Sequence, residues 1–211
     1  SDLLHYQAGT VQVRHLLDII VNDVGLEVVA KKVTKPLYNL KVAAYYGCLS
    51  VRPGLQDSFD DAEYPTSLDD LMRALRATVV DFPLKAHCCG GHMTQISEGV
   101  ALELIRRLLK NASDYRADTI VTLCPMCQLN LDAYQKNVNS YFGTNYSIPI
   151  LYFTQLIGLA FGIPPEQLGF GKELVDAKLS LARITSRAPE TPRKKRHPKE
   201  ALPMPSKRKE G

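Results

Sequence analysis

The sequence predicts an α/β fold, a mainly parallel sheet with flanking helices, followed by a disordered basic C-terminal tail. Three observations carry that expectation. Short β-prone runs alternate with helical patterns through the body of the chain, the order that builds parallel sheets. Cysteines stand at or just past the ends of those runs, where ligands gather in open α/β sheets. From Ser186 onward apolar periodicity vanishes and proline interleaves with Lys and Arg, so the tail cannot bury enough surface to order itself.

The elements follow in order. Val13, Leu16, Leu17, Ile20, Val21 and Val24 recur at helical spacing, which predicts a helix over residues 12–24 that stops at Gly25. Lys41 to Tyr46 reads as a strand ending at Gly47-Cys48. Residues 52–66 form a polar loop with Pro53, Gly54, Asp60, Asp61 and Pro65. Thr66-Ser67 then opens a helix, with Asp70 as capping partner and Leu68, Leu71, Met72 and Leu75 on one face. Thr78 to Phe82 is a second strand. Thr94 caps a long helix to about Asn111, with Val100, Ala101, Leu104, Ile105 and Leu108 inward. Thr119 to Leu123 is a third strand, and a helix from Met126 to Tyr141 follows. Ile148–Phe153 is a fourth strand, Thr154–Phe161 a last helix, and Pro164-Pro165 closes the segment.

At 211 residues the chain suffices for one packed domain with extensions. Its 45% hydrophobic and 23% charged residues are those of an ordinary globular protein. The net charge of +4 is unevenly spread: residues 186–211 hold nine Lys/Arg against three Glu, leaving about −2 for the rest. A near-neutral body argues against a nucleic-acid-binding core. No apolar run approaches the ~18–20 residues of a membrane span, and the N-terminus lacks a signal-peptide layout. The expected compartment is the cytoplasm. The chain opens on Ser1 within helix-like sequence, as a piece or a processed form of a longer protein would.

The chemistry is concentrated in cysteine. His87-Cys88-Cys89-Gly90-Gly91 stands between Cys48 and Cys124-Pro125-Met126-Cys127, giving C-x39-C-C-x34-C-x2-C with no cysteine elsewhere. An odd count with an adjacent pair reads as metal or redox chemistry in a reducing compartment. Structural zinc takes four ligands, and adjacent thiolates chelate one ion poorly. Two neighbours serve better when they reach different metal atoms, so the spacing favours a multi-iron cluster over zinc. Gly90 and Gly91 would let backbone N–H groups approach, and Cys124 opens a helix whose dipole favours a thiolate. Two alternatives stay open. Cys124-Pro125-Met126-Cys127 by itself could be a glutaredoxin-like dithiol, and the set could hold structural zinc.

The full pattern resembles the cysteine-rich CCG domain found in the B subunit of heterodisulfide reductase. Tyr45-Tyr46-Gly47-Cys48 with Arg52-Pro53, Pro65-Thr66-Ser67-Leu68-Asp69, the Cys88-Cys89-Gly90-Gly91 run, Cys124 through Asp132, and Tyr152-Phe153-Thr154-Gln155-Leu156 carry the likeness from about residue 11 to 175. It implies a Rossmann-like CCG domain over residues 37–180, after an N-terminal linker helix region over 1–36 and before the tail over 186–211. It also implies a noncubane 4Fe-4S cluster held by Cys48, Cys88, Cys89, Cys124 and Cys127, through which a disulfide is reduced. The B subunits of that family carry two CCG domains around a shared cavity and receive electrons from the A and C subunits of heterodisulfide reductase. This chain looks like the second domain, so the first must come from another chain or a further segment. Two other readings remain: a non-catalytic electron-transfer or docking subunit, and a zinc-stabilised interaction domain.

Around the cysteines, His87 and His92 are candidate proton donors to a leaving thiolate, or loop histidines bonded to backbone. Arg52 could offset cluster charge or hold a substrate anion, or simply make a surface ion pair. Tyr45, Tyr46 and Tyr152 read as core residues. Gln128 and Asn130 could donate to cluster sulfur or cap their helix.

Overall fold

The computed structural model describes residue 9, residues 13–51 and residues 60–188. The expectations on Arg52, Pro53 and Gly54, and on the tail from Pro189, lie outside the described residues. Four strands, β1 (Lys41–Tyr45), β2 (Thr78–Val79), β3 (Thr119–Thr122) and β4 (Ile150–Tyr152), form a parallel sheet in the order β2-β1-β3-β4. Val42 pairs with Val79 on one side and with Thr119 on the other. The chain therefore steps outward from β1 to β2 and returns to β3 across β1. That reversal leaves a crevice outside the carboxyl ends of β1 and β3, the usual ligand position in doubly wound sheets.

Both faces of the sheet are covered, as parallel sheets require. Side chains alternate along β1: Val42, Ala44 and Tyr46 face one core, Ala43 and Tyr45 the other. The first core takes α1 (Leu16–Asp18), a π-helical turn (Ile19–Gly25), α2 (Leu26–Lys32), α3 (Ser67–Ala74) and α7 (Phe153–Ala160). Leu71, Met72 and Leu75 are fully buried there, each contributing ~1.5–3 kcal/mol. The second core takes α4 (Glu98–Asp114), α5 (Pro125–Ala133) and α6 (Gln135–Phe142). A 3-10 turn (Pro165–Leu168) and α8 (Lys178–Leu181) close the described chain, and Ser180 Oγ donates to Asp118 O at 2.6 Å.

Several elements differ from the sequence expectation for local reasons. Gly25, at φ +83°, does interrupt the first helix, but α2 resumes directly after it. Leu17 is buried there, while Val13, Leu16 and Val24 are exposed. At the sheet edge β2 keeps two residues, not five, since it has one neighbour. Successive turns occupy Gly91–Ile96, so α4 starts at Glu98, and Thr94 Oγ1 donates to Gly91 O instead of capping. Its inward face is Ala101, Leu102, Ile105, Leu108, Leu109 and Ala112, with Val100 exposed. Tyr134 splits the expected 126–141 helix into α5 and α6. Asp70 pairs with Arg73 at 2.7 Å, and the start of α3 is satisfied from elsewhere, as described below.

Candidate metal centre

The five cysteines arrive on three loops at one rim of the sheet. Cys48 follows β1, Cys124 follows β3 as the N-cap of α5, and Cys127 lies in the first turn of that helix. Cys88 and Cys89 lie between β2 and α4. All five line a single cavity, together with Tyr46, Leu49, Gly91, His92 and Met126. None is in a disulfide, Cys89 and Cys127 are buried, and the other three are half-buried. The geometric expectation of one thiol-lined rim is met.

Hydrogen bonds from buried and half-buried side chains and from backbone hold these loops. Tyr45 Oη donates to His87 O at 2.6 Å, fastening the Cys88 loop to β1. Tyr46 N and Gly47 N donate to Lys85 O at 2.9 and 3.1 Å, so the backbone before Cys48 is paired with the backbone before Cys88. Asn130 Nδ2 donates to Cys89 O at 2.8 Å, and Tyr152 Oη donates to Leu123 O at 2.9 Å beside Cys124. Gln128 Nε2 reaches Ile150 O at 3.5 Å. Asn130 and Gln128 thus spend these bonds on backbone carbonyls, whatever else they face.

Gly47 leaves no room for a side chain beside the Cys127 thiol. It sits at φ +72°, and a Cβ there would lie 3.0 Å from Cys127 Sγ. Gly90 N donates to Cys88 Sγ at 3.3 Å, the backbone approach to a thiol that the sequence predicts, and at φ +78° a Cβ there would also press on Leu104 of α4 at 3.1 Å. At Gly91 a Cβ would meet Met126 Cγ at 3.1 Å and Cys89 Sγ at 3.6 Å, filling the cavity wall.

Charge is distributed unequally among the thiols. Cys89 and Cys127 share a sulfur–sulfur hydrogen bond of 3.5 Å, in which either thiol can donate. That bond, with the Gly91 N–H and the Asn130 amide, favours the thiolate at Cys89 and brings it down to about 6 against the cost of burial. Cys127, bonded to Cys89 and buried, is pushed well up and keeps its proton. Burial, and then the surrounding thiols, push Tyr45 well above the ordinary phenol range.

Five converging soft thiols fit thiolate-ligated iron–sulfur or zinc chemistry. Among the described residues, no group of three or more His, Cys, Asp or Glu is placed to hold one metal ion. The thiols ring a cavity instead. The two histidines separate: His92 lines that cavity, whereas His87 lines a different apolar pocket with Leu84, Cys88, Leu104, Arg107 and Leu108. Sequence reasoning missed two features. One is the close approach of Gly47 to Cys127. The other is a buried polar group, Lys85, Asp69 and Tyr46, behind the rim. Only the place of Asp69 was legible, three residues before Met72 on the buried face of α3; its pairing with Lys85 and Tyr46 was not.

The family model of the CCG cysteine-rich domain matches residues 42–132. The chain is 38% identical over 174 residues to the 8-methylmenaquinol:fumarate reductase membrane anchor subunit of Wolinella succinogenes, covering 82% of this chain and 60% of that protein. It is also 38% identical over 178 residues to the B subunit of the ferredoxin:CoB-CoM heterodisulfide reductase of Methanosarcina mazei, covering 83% and 59%. The chain thus spans about three fifths of the length of these curated relatives. A crystal structure of a hypothetical protein from Helicobacter pylori superposes with a TM-score of 0.55 at 14% identity, over 72% of this chain and 28% of that one, a likeness of fold.

Proposed function

The chain belongs to the cysteine-rich CCG domain family, and from that premise we propose that it is part of a heterodisulfide reductase-type B subunit. In this reading Cys48, Cys88, Cys89, Cys124 and Cys127 together hold one noncubane 4Fe-4S cluster. The observation that carries it is the meeting of all five thiols, from three loops, at one cavity beside the β1/β3 reversal. Adjacent Cys88 and Cys89 suit a cluster with several metal atoms, and a ring of thiols around a cavity suits it better than a single-ion point.

The reaction adds two electrons and two protons to a disulfide and releases two thiols. Bound at the rim, the cluster would supply the electrons and a landing site for sulfur. The chain's own residues prepare that place. Leu49 and Met126 give the mouth an apolar lining that limits water. His92, on the same wall, is the histidine placed to give a proton to a leaving thiolate, in preference to His87. Electrons would come from partner subunits of the A and C kind, and a second CCG domain would close the cavity from the other side.

A second reading has its own support. The Wolinella succinogenes relative, equally identical, is named as the membrane anchor subunit of a fumarate reductase. A CCG unit that passes electrons or docks a partner without cleaving a disulfide is consistent with that name. Among the described residues no helix is long and apolar enough to cross a membrane. One experiment separates the two. Adding a small thiol to the oxidised, iron-loaded chain is expected to change its paramagnetic resonance spectrum if the site takes substrate sulfur. An unchanged spectrum across a thiol titration favours the electron-transfer reading.

A further inference from the structure

We propose that the buried Lys85–Asp69 pair is a positioning device that sets the distance between the Cys48 loop and the Cys88-Cys89 loop. This inference rests on the cluster reading above. Lys85 and Asp69 are 3% and 5% exposed. The Lys85 ammonium donates to Pro65 O at 2.9 Å and to both Asp69 oxygens at 3.1 and 3.2 Å. Asp69 also accepts from Tyr46 Oη at 2.6 Å, and that hydroxyl accepts from Leu68 N and Asp69 N at 2.8 and 3.1 Å. The Lys85 carbonyl meanwhile accepts from Tyr46 N and Gly47 N. One lysine therefore holds Tyr46 at both ends, by its backbone directly and by its ammonium through Asp69.

Tyr46 stands two residues before Cys48, and Lys85 three residues before Cys88. The same bonds that join Lys85 to Tyr46 thus tie the two cysteine loops across the β1–β2 edge. The Tyr64 ring covers the ammonium at 4.2 Å. A buried ion pair adds little net stability over an apolar pair of the same volume, but its bonds fix one geometry. Groups hydrogen-bonded to metal ligands lower metal affinity ~10–100-fold when lost; Lys85 and Asp69 act one step further back, through the backbone that leads into both loops.

The test pairs Lys85→Met with Asp69→Asn, which leaves no unpaired buried charge and keeps an acceptor for the Tyr46 hydroxyl. Three readouts are compared with the unsubstituted chain: release of iron to a chelator, alkylation of each thiol in the metal-free chain by mass spectrometry, and thermal unfolding. The expected result is faster iron release, up to about tenfold, with Cys48 and Cys88 alkylated faster relative to Cys124 and little change in melting. Iron retention and thiol ratios equal to the unsubstituted chain would overturn the inference. So would a uniform rise in all thiol rates with a fall in melting temperature, which is plain structural support. If the unsubstituted chain takes up no iron or sulfide, the cluster reading falls, and the thiol ratios of the metal-free chain alone decide whether the tie between the loops exists.

Discussion

A methyl group at Gly47 would meet both the wrong backbone angle and the Cys127 sulfur, at φ +72° and 3.0 Å. Left-handed backbone costs an L-residue ~1–2 kcal/mol, so Gly47→Ala is expected to lower unfolding free energy by about that much in urea titrations. It should also displace Cys127, read as lower iron uptake. A glycine substitution away from the rim, Gly143→Ala at φ +66° with open space around it, carries the backbone cost without the loss of iron. Cys89 gives a pH dependence. Its folded thiol is held down to about 6, mainly by the bond it shares with Cys127. Between about pH 6 and the ordinary thiol range the unfolded chain keeps a proton that folded Cys89 has released, so stability rises with pH across that window. As pH falls through about 6 this contribution is lost. Urea midpoints of the metal-free chain that stay flat or fall with rising pH in that window would contradict the assignment.

At the scale of elements, α3 shows how a loop far from the rim supports it. Its first turn is satisfied by Asp60, whose carboxylate accepts from Ser67 N at 2.8 Å and Thr66 N at 3.1 Å, and by the Tyr46 hydroxyl. Asp60→Ala removes that carboxylate cap and is expected to cost ~0.5–2 kcal/mol, measured by chemical denaturation; no change would mean the Tyr46 hydroxyl suffices. The sequence placed α3 correctly but assigned its cap to Asp70, because a capping box is a local pattern and Asp60 acts from across a loop. The same limit explains Thr94, whose hydroxyl is taken by Gly91 O in the turn that carries the CCG loop into α4. Strands were easier to read. Val42 to Tyr45 are buried on both faces, so β1 is an uninterrupted apolar run, and Thr119 to Thr122 is buried alike as a β-branched run.

For the whole molecule, the β2-β1-β3-β4 order makes the cysteine pattern intelligible. Cys48 and Cys124 follow the two strands that flank the reversal, and the Cys88-Cys89 loop leaves the neighbouring edge strand. That convergence was legible because cysteine positions relative to strand ends survive errors of a few residues in the boundaries. The buried Lys85–Asp69–Tyr46 group was less legible, since pairing between residues on three elements has no local period. Exposed Leu49 and Met126 line the thiol cavity and leave its mouth apolar. The most direct test of a cluster at this rim is anaerobic quantification of iron, acid-labile sulfide and zinc per chain. About four irons with matching sulfide are expected, lost in both Cys88→Ala and Cys89→Ala. About one zinc per chain without sulfide would contradict the cluster and make the domain a zinc-held binding module.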